Sequence, residues 1–258
     1  METSKVLITG VSSGIGRVLT KRLITDGHIV WGIARRLSLL ETLEKELGKS
    51  NRLTTCNVDI SRPDSWSKLC QQMKRKKFIP EIIIFNAATN RNDFSPSLDS
   101  MTTREIFNVN FFSIIAGVEN LLKFVKIGTQ FIAISSLSAL KGSGVEGIGY
   151  PASKAALSIA FESLYRKFGD KYSFKTIYFG PIAGGMGPFK KILPIILSES
   201  QAVDKIVNVI KSRKLIHYAP QSIFFALRVM KFLPSGVYFA LLARIESFHL
   251  KLAKRVKA

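Results

Sequence analysis

The stretch TGVSSGIGR, residues 9–17, decides the fold. It follows the apolar run KVLI at 5–8 and holds Gly10, Gly14 and Gly16 in the spacing G-x-x-x-G-x-G. Three glycines in seven residues exceed what a plain turn needs. One reading is a tight strand-to-helix turn. The other is a loop whose backbone lies against a phosphate. A glycine loop alone does not separate the two, and the rest of the chain must.

Composition sets the limits. The chain has 258 residues, 47% of them hydrophobic, and only 9 prolines, which suits one globular domain with a large core. Cys56 and Cys70 have no C-x-x-C spacing and read as buried thiols in a reducing compartment. His28, His217 and His249 are scattered, so no metal is expected. The apolar run of the N-terminal METSKVLITG is too short for a signal-peptide core, and a cytoplasmic chain is expected. The net charge of +20 favours nucleic acid, anionic lipid or a phosphorylated ligand as a partner. The run Lys74–Lys77 reads as the solvated end of a helix. No nucleic-acid signature accompanies it, and no nucleic-acid partner is expected.

Short apolar runs at 5–9, 28–33, 52–58, 81–86, 130–135 and 173–179 predict buried strands. Helical periodicity fills 15–26, 38–47, 63–76, 102–125 and 150–168 between them. Continuously apolar strands joined by helices argue for a doubly wound, Rossmann-type α/β fold. Its parallel sheet is covered on both faces and its crossovers are right-handed. In that frame the glycine loop ends the first strand and opens the first helix. A dinucleotide pyrophosphate rests at such a place, on the positive end of a helix and against exposed N–H groups. Ser12 and Ser13 can add hydroxyls.

The stretch YPASK supplies a second element. Tyr150 and Lys154 are four residues apart at the start of an apolar-periodic helix and share one face. Tyrosine ordinarily titrates near about 10. A neighbouring ammonium favours the phenolate and moves the group toward a useful range for proton exchange. Y-x-x-x-K alone is a common accident on helices.

Taken in order along residues 1–220, the motifs resemble the short-chain dehydrogenase/reductase family of ordinary length. TGVSSGIG matches its T-G-x-x-x-G-I-G, and NVDIS its aspartate after the third strand. FNAA matches its N-N-A-G, with Ala88 in place of glycine. NVNFFS, ISSLSA and YPASK match the segments that carry its catalytic asparagine, serine, tyrosine and lysine. The resemblance implies cofactor contacts from Gly10, Ser12, Ser13, Gly14, Ile15, Gly16, Asn86, Ala87 and Ile182, and places Asp59 beside the adenine. It implies that Tyr150 exchanges the proton with a carbonyl or hydroxyl oxygen, and that Lys154 lowers its pKa and binds the nicotinamide ribose. Ser136 would hydrogen-bond the substrate oxygen, and Asn110 would hold a water behind Lys154. Ser136 precedes Tyr150 by 14 residues, one more than the family usually shows, while Ser138 precedes it by 12. Ser136 is chosen as the second serine of the strand-end pair, and a strand-capping serine is its alternative.

Two departures matter. After the sixth strand the chain reads FGPIAGGMG, with Phe179 for the family's proline and Gly184 for its threonine. The extra glycines suggest a substrate lid over about 182–200. The second strand ends GIARR, with no acid to bind ribose hydroxyls. A guanidinium suits a 2′-phosphate, so NADP is expected over NAD, with Arg35 preferred to Arg36 as its partner. A solvated basic turn is the alternative there.

The expected protein is an NADP-dependent oxidoreductase acting on an apolar small-molecule carbonyl or alcohol, assembled as a homo-oligomer. A non-catalytic NADP sensor or scaffold, and a nucleotide-sugar enzyme of the same fold, are the alternatives. Residues 221–258 form an apolar, basic helical extension too interrupted to span a bilayer. It reads either as a peripheral contact with an anionic membrane or as a subunit interface or lid.

Overall fold

The computed structural model describes residues 2–48, 50–91, 93, 98–140, 142, 147–184, 196–241 and 243–244. Seven strands form one parallel sheet: β1 Lys5–Thr9, β2 Ile29–Ala34, β3 Leu53–Asn57, β4 Ile82–Phe85, β5 Gln130–Ser136, β6 Ser173–Phe179 and β7 Ile216–Ala219. Their order is β3-β2-β1-β4-β5-β6-β7. The chain therefore builds outward from β1 on one side, returns, and builds outward on the other. β1 and β4 flank the point of reversal, where open α/β sheets bind ligands beyond the carboxyl ends of their strands.

Alternation along the strands divides the core into two layers. Val6 and Ile8 of β1, with Ile82 and Ile84 of β4, point into one layer. The helices α1 Gly14–Thr25, α2 Leu37–Glu46 and α7 Glu199–Lys211 cover it. Leu7, Ile83 and Phe85 point the other way. The helices α3 Ser65–Arg75, α5 Ser113–Leu122 and α6 Gly149–Phe168 cover that face. A Cβ on Gly117 would lie 2.6 Å from the Trp66 ring, so glycine there lets α5 close on α3.

The periodicity predicts one helix over 102–125. The chain instead forms α4 Ser100–Phe107, a π turn at Asn108–Phe112, and then α5. The apolar spacing of NVNFF suits either geometry, so the sequence does not announce the wider turn. The fully buried Asn110 lies within it.

Lys175 sits in the buried strand β6. Its Nζ donates to Ser212 O at 2.6 Å, Gln130 Oε1 at 2.7 Å, Val209 O at 3.1 Å and Ile210 O at 3.3 Å. A cation at the negative end of α7 satisfies carbonyls that the helix leaves open. It also fixes where the chain turns toward β7.

The last two residues of the span expected as a lid, about 182–200, belong to α7. Ser198 accepts from Gln201 N in a reciprocal capping box, and α7 starts at Glu199. Residues 185–195 of the lid lie outside the described residues. The flanks on either side are tied together: Ala183 N donates to Leu197 O at 2.8 Å, and Leu197 N to Pro181 O at 3.2 Å. Ile182 bridges Leu197 there. After β7, α8 Gln221–Lys231 packs back through Phe224, whose ring stacks on Tyr218 of β7.

Candidate active site

The glycine loop is shaped by close approach as much as by turning. Gly10 and Gly14 have φ of +79° and +58°, in the left-handed region that only glycine enters freely. Gly16 is excluded from any other identity by space: a Cβ there would lie 2.2 Å from Gly10 O and 2.5 Å from Asn86 Nδ2. Asn86 Nδ2 donates to Thr9 O at 3.0 Å and Gly10 O at 3.2 Å. The Thr9 hydroxyl accepts from Asn86 N and Ala87 N. Asn86 and Ala87 therefore brace the loop from behind.

The first turn of α1 has no cap or acid of its own: Ser13, the N-cap, makes no side-chain cap, and no acidic residue lies in the turn. Glu199 Oε1 lies 3.7 Å from where a Cβ on Gly14 would be. Free N–H groups at the positive end of a helix fit a phosphate. Arg36, rather than Arg35, reaches this loop: its Nη2 donates to Ser12 Oγ at 3.0 Å and Ser13 Oγ at 2.6 Å. Neighbouring residues at the end of β2 diverge, and only the second leans back over the serines. Arg35 instead lies near Asp59. Burial opposes ionisation of Asp59, but the Ser61 hydroxyl and N–H, with the Arg35 and Arg62 charges, outweigh it and hold the carboxyl below its ordinary value.

β5 delivers the two serines to opposite sides. Ser135 turns into α6, 2.7 Å from Ser158 Oγ and 3.3 Å from Lys154 O. It is thereby used up in packing. Ser136 accepts from Ser138 Oγ at 2.8 Å and Ser138 N at 3.2 Å, which leaves its own proton to point elsewhere. Within this pair Ser136 is the acceptor, and Ser138 folds back onto it through both its N–H and its hydroxyl.

α6 carries Tyr150 and Lys154. Lys154 is 1% exposed, its Nζ donates to Ile134 O at 2.7 Å, and it lies 5.8 Å from the centre of the Tyr150 ring. Burial drives its pKa down to about 7. Asn110 does not reach Lys154 with its side chain. Its Oδ1 accepts from Thr89 N at 2.8 Å, and its Nδ2 donates to Thr89 O at 2.8 Å and Ser153 Oγ at 3.0 Å. The amide pins the loop after β4 to α6.

Burial also raises the thiols, Cys70 to about 11, so neither cysteine is an activated nucleophile. Among the described residues no cluster of His, Cys, Asp and Glu could hold a metal ion.

A glycine turn into an α1 with no side-chain cap, on a doubly wound sheet whose β5 ends in Ser136 and packs against the helix that carries Tyr150 and the buried Lys154, makes a dinucleotide-dependent site. The family model for short chain dehydrogenases matches residues 4–187, and the chain belongs to that family. Its curated relatives include an NADPH-dependent pterin aldehyde reductase from Arabidopsis thaliana. That protein is 32% identical over 59% of this chain and 64% of its own length. They also include the human epidermal retinol dehydrogenase 2, 29% identical over 89% of this chain and 78% of its own length. The match spans less than two thirds of the length of the pterin aldehyde reductase. Among solved structures, a short chain dehydrogenase from Burkholderia cenocepacia in complex with NADP superposes with a TM-score of 0.72. It shares 20% identity and covers 90% of this chain and 99% of its own.

The Lys154 environment has a measurable consequence. Its pKa of about 7 lies below the ordinary 10.5, so between these values the unfolded chain binds more protons than the folded one. Stability from this group therefore rises with pH over that range and is lowest below about 7. Lys154→Met should be more stable than the wild type at pH 7, on the order of a few kcal/mol, with the gap closing toward pH 10. Urea midpoints at both pH values measure it, and a gap that stays constant would contradict the buried-amine account.

Proposed function

We propose that the chain is an NADP-dependent oxidoreductase that reduces a carbonyl to an alcohol, or runs the reverse, on an apolar small molecule. The observation that carries this reading is the buried Lys154 amine, bonded to Ile134 O two residues before Ser136 and 5.8 Å from the Tyr150 ring, on a sheet whose β1 leads through the glycine turn into α1. The NADPH dependence of the Arabidopsis relative and the NADP held by the Burkholderia structure support the cofactor.

Gly14, Ile15 and Gly16 would hold the pyrophosphate by backbone N–H groups, Gly10, whose own N–H is bonded to Ile33 O, would supply the turn beneath it, and Ser12, Ser13 and Arg36 would take the 2′-phosphate, with Arg35 and Asp59 near the adenine. Ile182 would meet the carboxamide. When bound, the nicotinamide supplies or accepts the hydride. Ser136 Oγ donates to the substrate oxygen and steadies its developing charge. Tyr150 Oη gives that oxygen its proton in reduction and takes it in oxidation. Lys154 beneath the ring favours the phenolate when charged. Ribose hydroxyls accepting from Nζ would shift Lys154 back toward that form.

An apolar substrate is supported by the wall next to Ser136. Leu137 packs with Tyr178 and Phe224, and Ile223 and Leu227 of α8 lie against them. The outer side of α8 is also apolar: Phe225, Val229 and Phe232 are 60%, 68% and 83% exposed. They recur at i, i+4 and i+7, on one helical face. Val237, Phe239 and Leu241 continue the exposed set. No described helix is long and apolar enough to cross a membrane. We read the segment as lying on an anionic bilayer, with Arg228 toward the headgroups and the net positive charge of the chain adding to the attraction. A homo-oligomer is supported by Met101, Phe112, Ile148 and Ile159, which expose large apolar surface on α4, the π turn and the start and middle of α6.

Three experiments test this reading. A panel of apolar aldehydes, ketones and alcohols, followed by nicotinamide absorbance, should identify turnover that Tyr150→Phe reduces about 10²–10⁴-fold with NADP binding retained. In the same assay Ser136→Ala should be more damaging than Ser138→Ala, and the opposite order would move the donor role to Ser138. Arg36→Asp should lower the NADP-over-NAD affinity ratio more than Arg35→Asp does. A ratio unchanged in both variants would remove the basic pair from cofactor choice. The full chain should float with phosphatidylserine vesicles at low salt, less with neutral ones, and replacing Phe225, Val229 and Phe232 by Glu should abolish flotation. A full chain that stays unbound at low salt would leave α8 to a subunit contact or a lid.

A further inference from the structure

The helix that carries Tyr150 does not begin with a cap of its own. Its N-cap residue Ile148 offers no side-chain acceptor. The acceptor comes from 55 to 57 residues away in the chain. Asp93 Oδ1 accepts from Ile148 N at 3.2 Å and Gly149 N at 2.9 Å, and Asp93 Oδ2 accepts from Tyr150 N at 2.7 Å. A carboxylate that takes several N–H groups of a first helical turn is a strong anchor, because charge and dipole act together.

The surroundings are fitted to that carboxylate. Gly147 has φ +75°, and a Cβ there would lie 2.2 Å from Asp93 O and 2.3 Å from Asp93 Cγ. A Cβ on Gly149 would come within 3.3 Å of Asp93 Oδ1. The two glycines leave room for the aspartate to reach the backbone.

The segment that ends at Asp93 is anchored at two earlier points. Asn86 is hydrogen-bonded to Thr9 O and Gly10 O of the glycine loop. Thr89 is held on both its backbone groups by Asn110. One short run of chain thus touches the dinucleotide cradle, the buried amide of the π turn and the start of the catalytic helix.

We propose that Asp93 is a positioning residue for Tyr150: both of its oxygens fix the first turn of α6, and so set where the phenol stands relative to the cradle braced by Asn86. The proposal rests on the reading of Tyr150 as the proton donor. Asp93 touches neither the reacting atoms nor the cofactor cradle, so its loss acts on turnover and leaves the dinucleotide in place. A displacement of a reacting group by about 1 Å costs on the order of 10²-fold in rate.

Two variants of the full chain separate positioning from simple capping. Asp93→Ala should lower kcat about 10–100-fold with NADP affinity and substrate KM little changed. Asp93→Asn is as good a helix cap by residue type, yet it keeps only one acceptor oxygen. It should recover part of the thermal stability that Asp93→Ala loses while kcat stays reduced, and the Tyr150 amide should exchange its hydrogen faster than in the wild type. Full activity in Asp93→Asn, or an unchanged kcat in Asp93→Ala, would overturn the proposal. If Asp93→Ala does not fold, Asp93→Asn decides alone. If no substrate in the panel is turned over by the wild type, the reading of Tyr150 fails by itself. The exchange rates of Gly149 and Tyr150 amides in Asp93→Asn then decide the seat: unchanged rates overturn it and faster exchange at Tyr150 upholds it.

Discussion

The contact on which the rest depends is the approach of Gly16 to Gly10. Helix α1 can sit over the end of β1 only because Gly16 carries no Cβ, which would lie 2.2 Å from Gly10 O. That approach places the positive end of α1 at the reversal point of the sheet, beside β4. It also brings the Gly10 carbonyl within reach of Asn86, so the strand that flanks β1 is tied to the loop that β1 feeds. A methyl group at Gly16 would push α1 away from the strand ends and open the cradle. Packing in the layer below would suffer as well, because Leu19 and Leu23 of the same helix are buried in it.

From that contact the site is assembled by strand ends. Parallel strands bring their C-termini to one edge, so Gly10, Asn86, Ser136 and Gly180 meet although they are far apart in the chain. Side chains between the strands then fix the angles. Asn110 joins Thr89 to Ser153, Ser135 joins β5 to Ser158, and Lys154 joins α6 to Ile134. Each is a buried polar group with a partner, and such a network specifies one arrangement more sharply than apolar contact alone.

Much of this was legible in the sequence for a physical reason. Strand positions follow from short continuous apolar runs, and six of the strands lie within about two residues of those runs. The glycine loop and Y-x-x-x-K are local patterns, so their geometry is written within a few residues. What escaped depends on distant or fine spatial facts. Nothing in FNAATNRND says that its last aspartate will meet the start of a helix more than fifty residues on. Lys175 in SFKTIYF reads only as an interruption, since its carbonyl partners come from the end of α7. Arg35 and Arg36 are equivalent in composition, and only the direction each takes at the end of β2 distinguishes them. The π turn is hidden because its apolar spacing also suits an ordinary helix.

The burial of Lys154 has one more consequence. With its amine near half-neutral at pH 7, the ligand-free chain holds less than one proton at this position. A ligand that offers oxygens to Nζ stabilises the ammonium, so its arrival draws a proton from solvent. Binding and proton uptake are then two faces of one equilibrium, and each must favour the other by the same factor. Heats of binding taken in buffers of different ionisation enthalpy would therefore differ, and the affinity would weaken as alkali removes the proton. A side chain sealed from water would thus report the acidity of the medium through how tightly such a ligand is held.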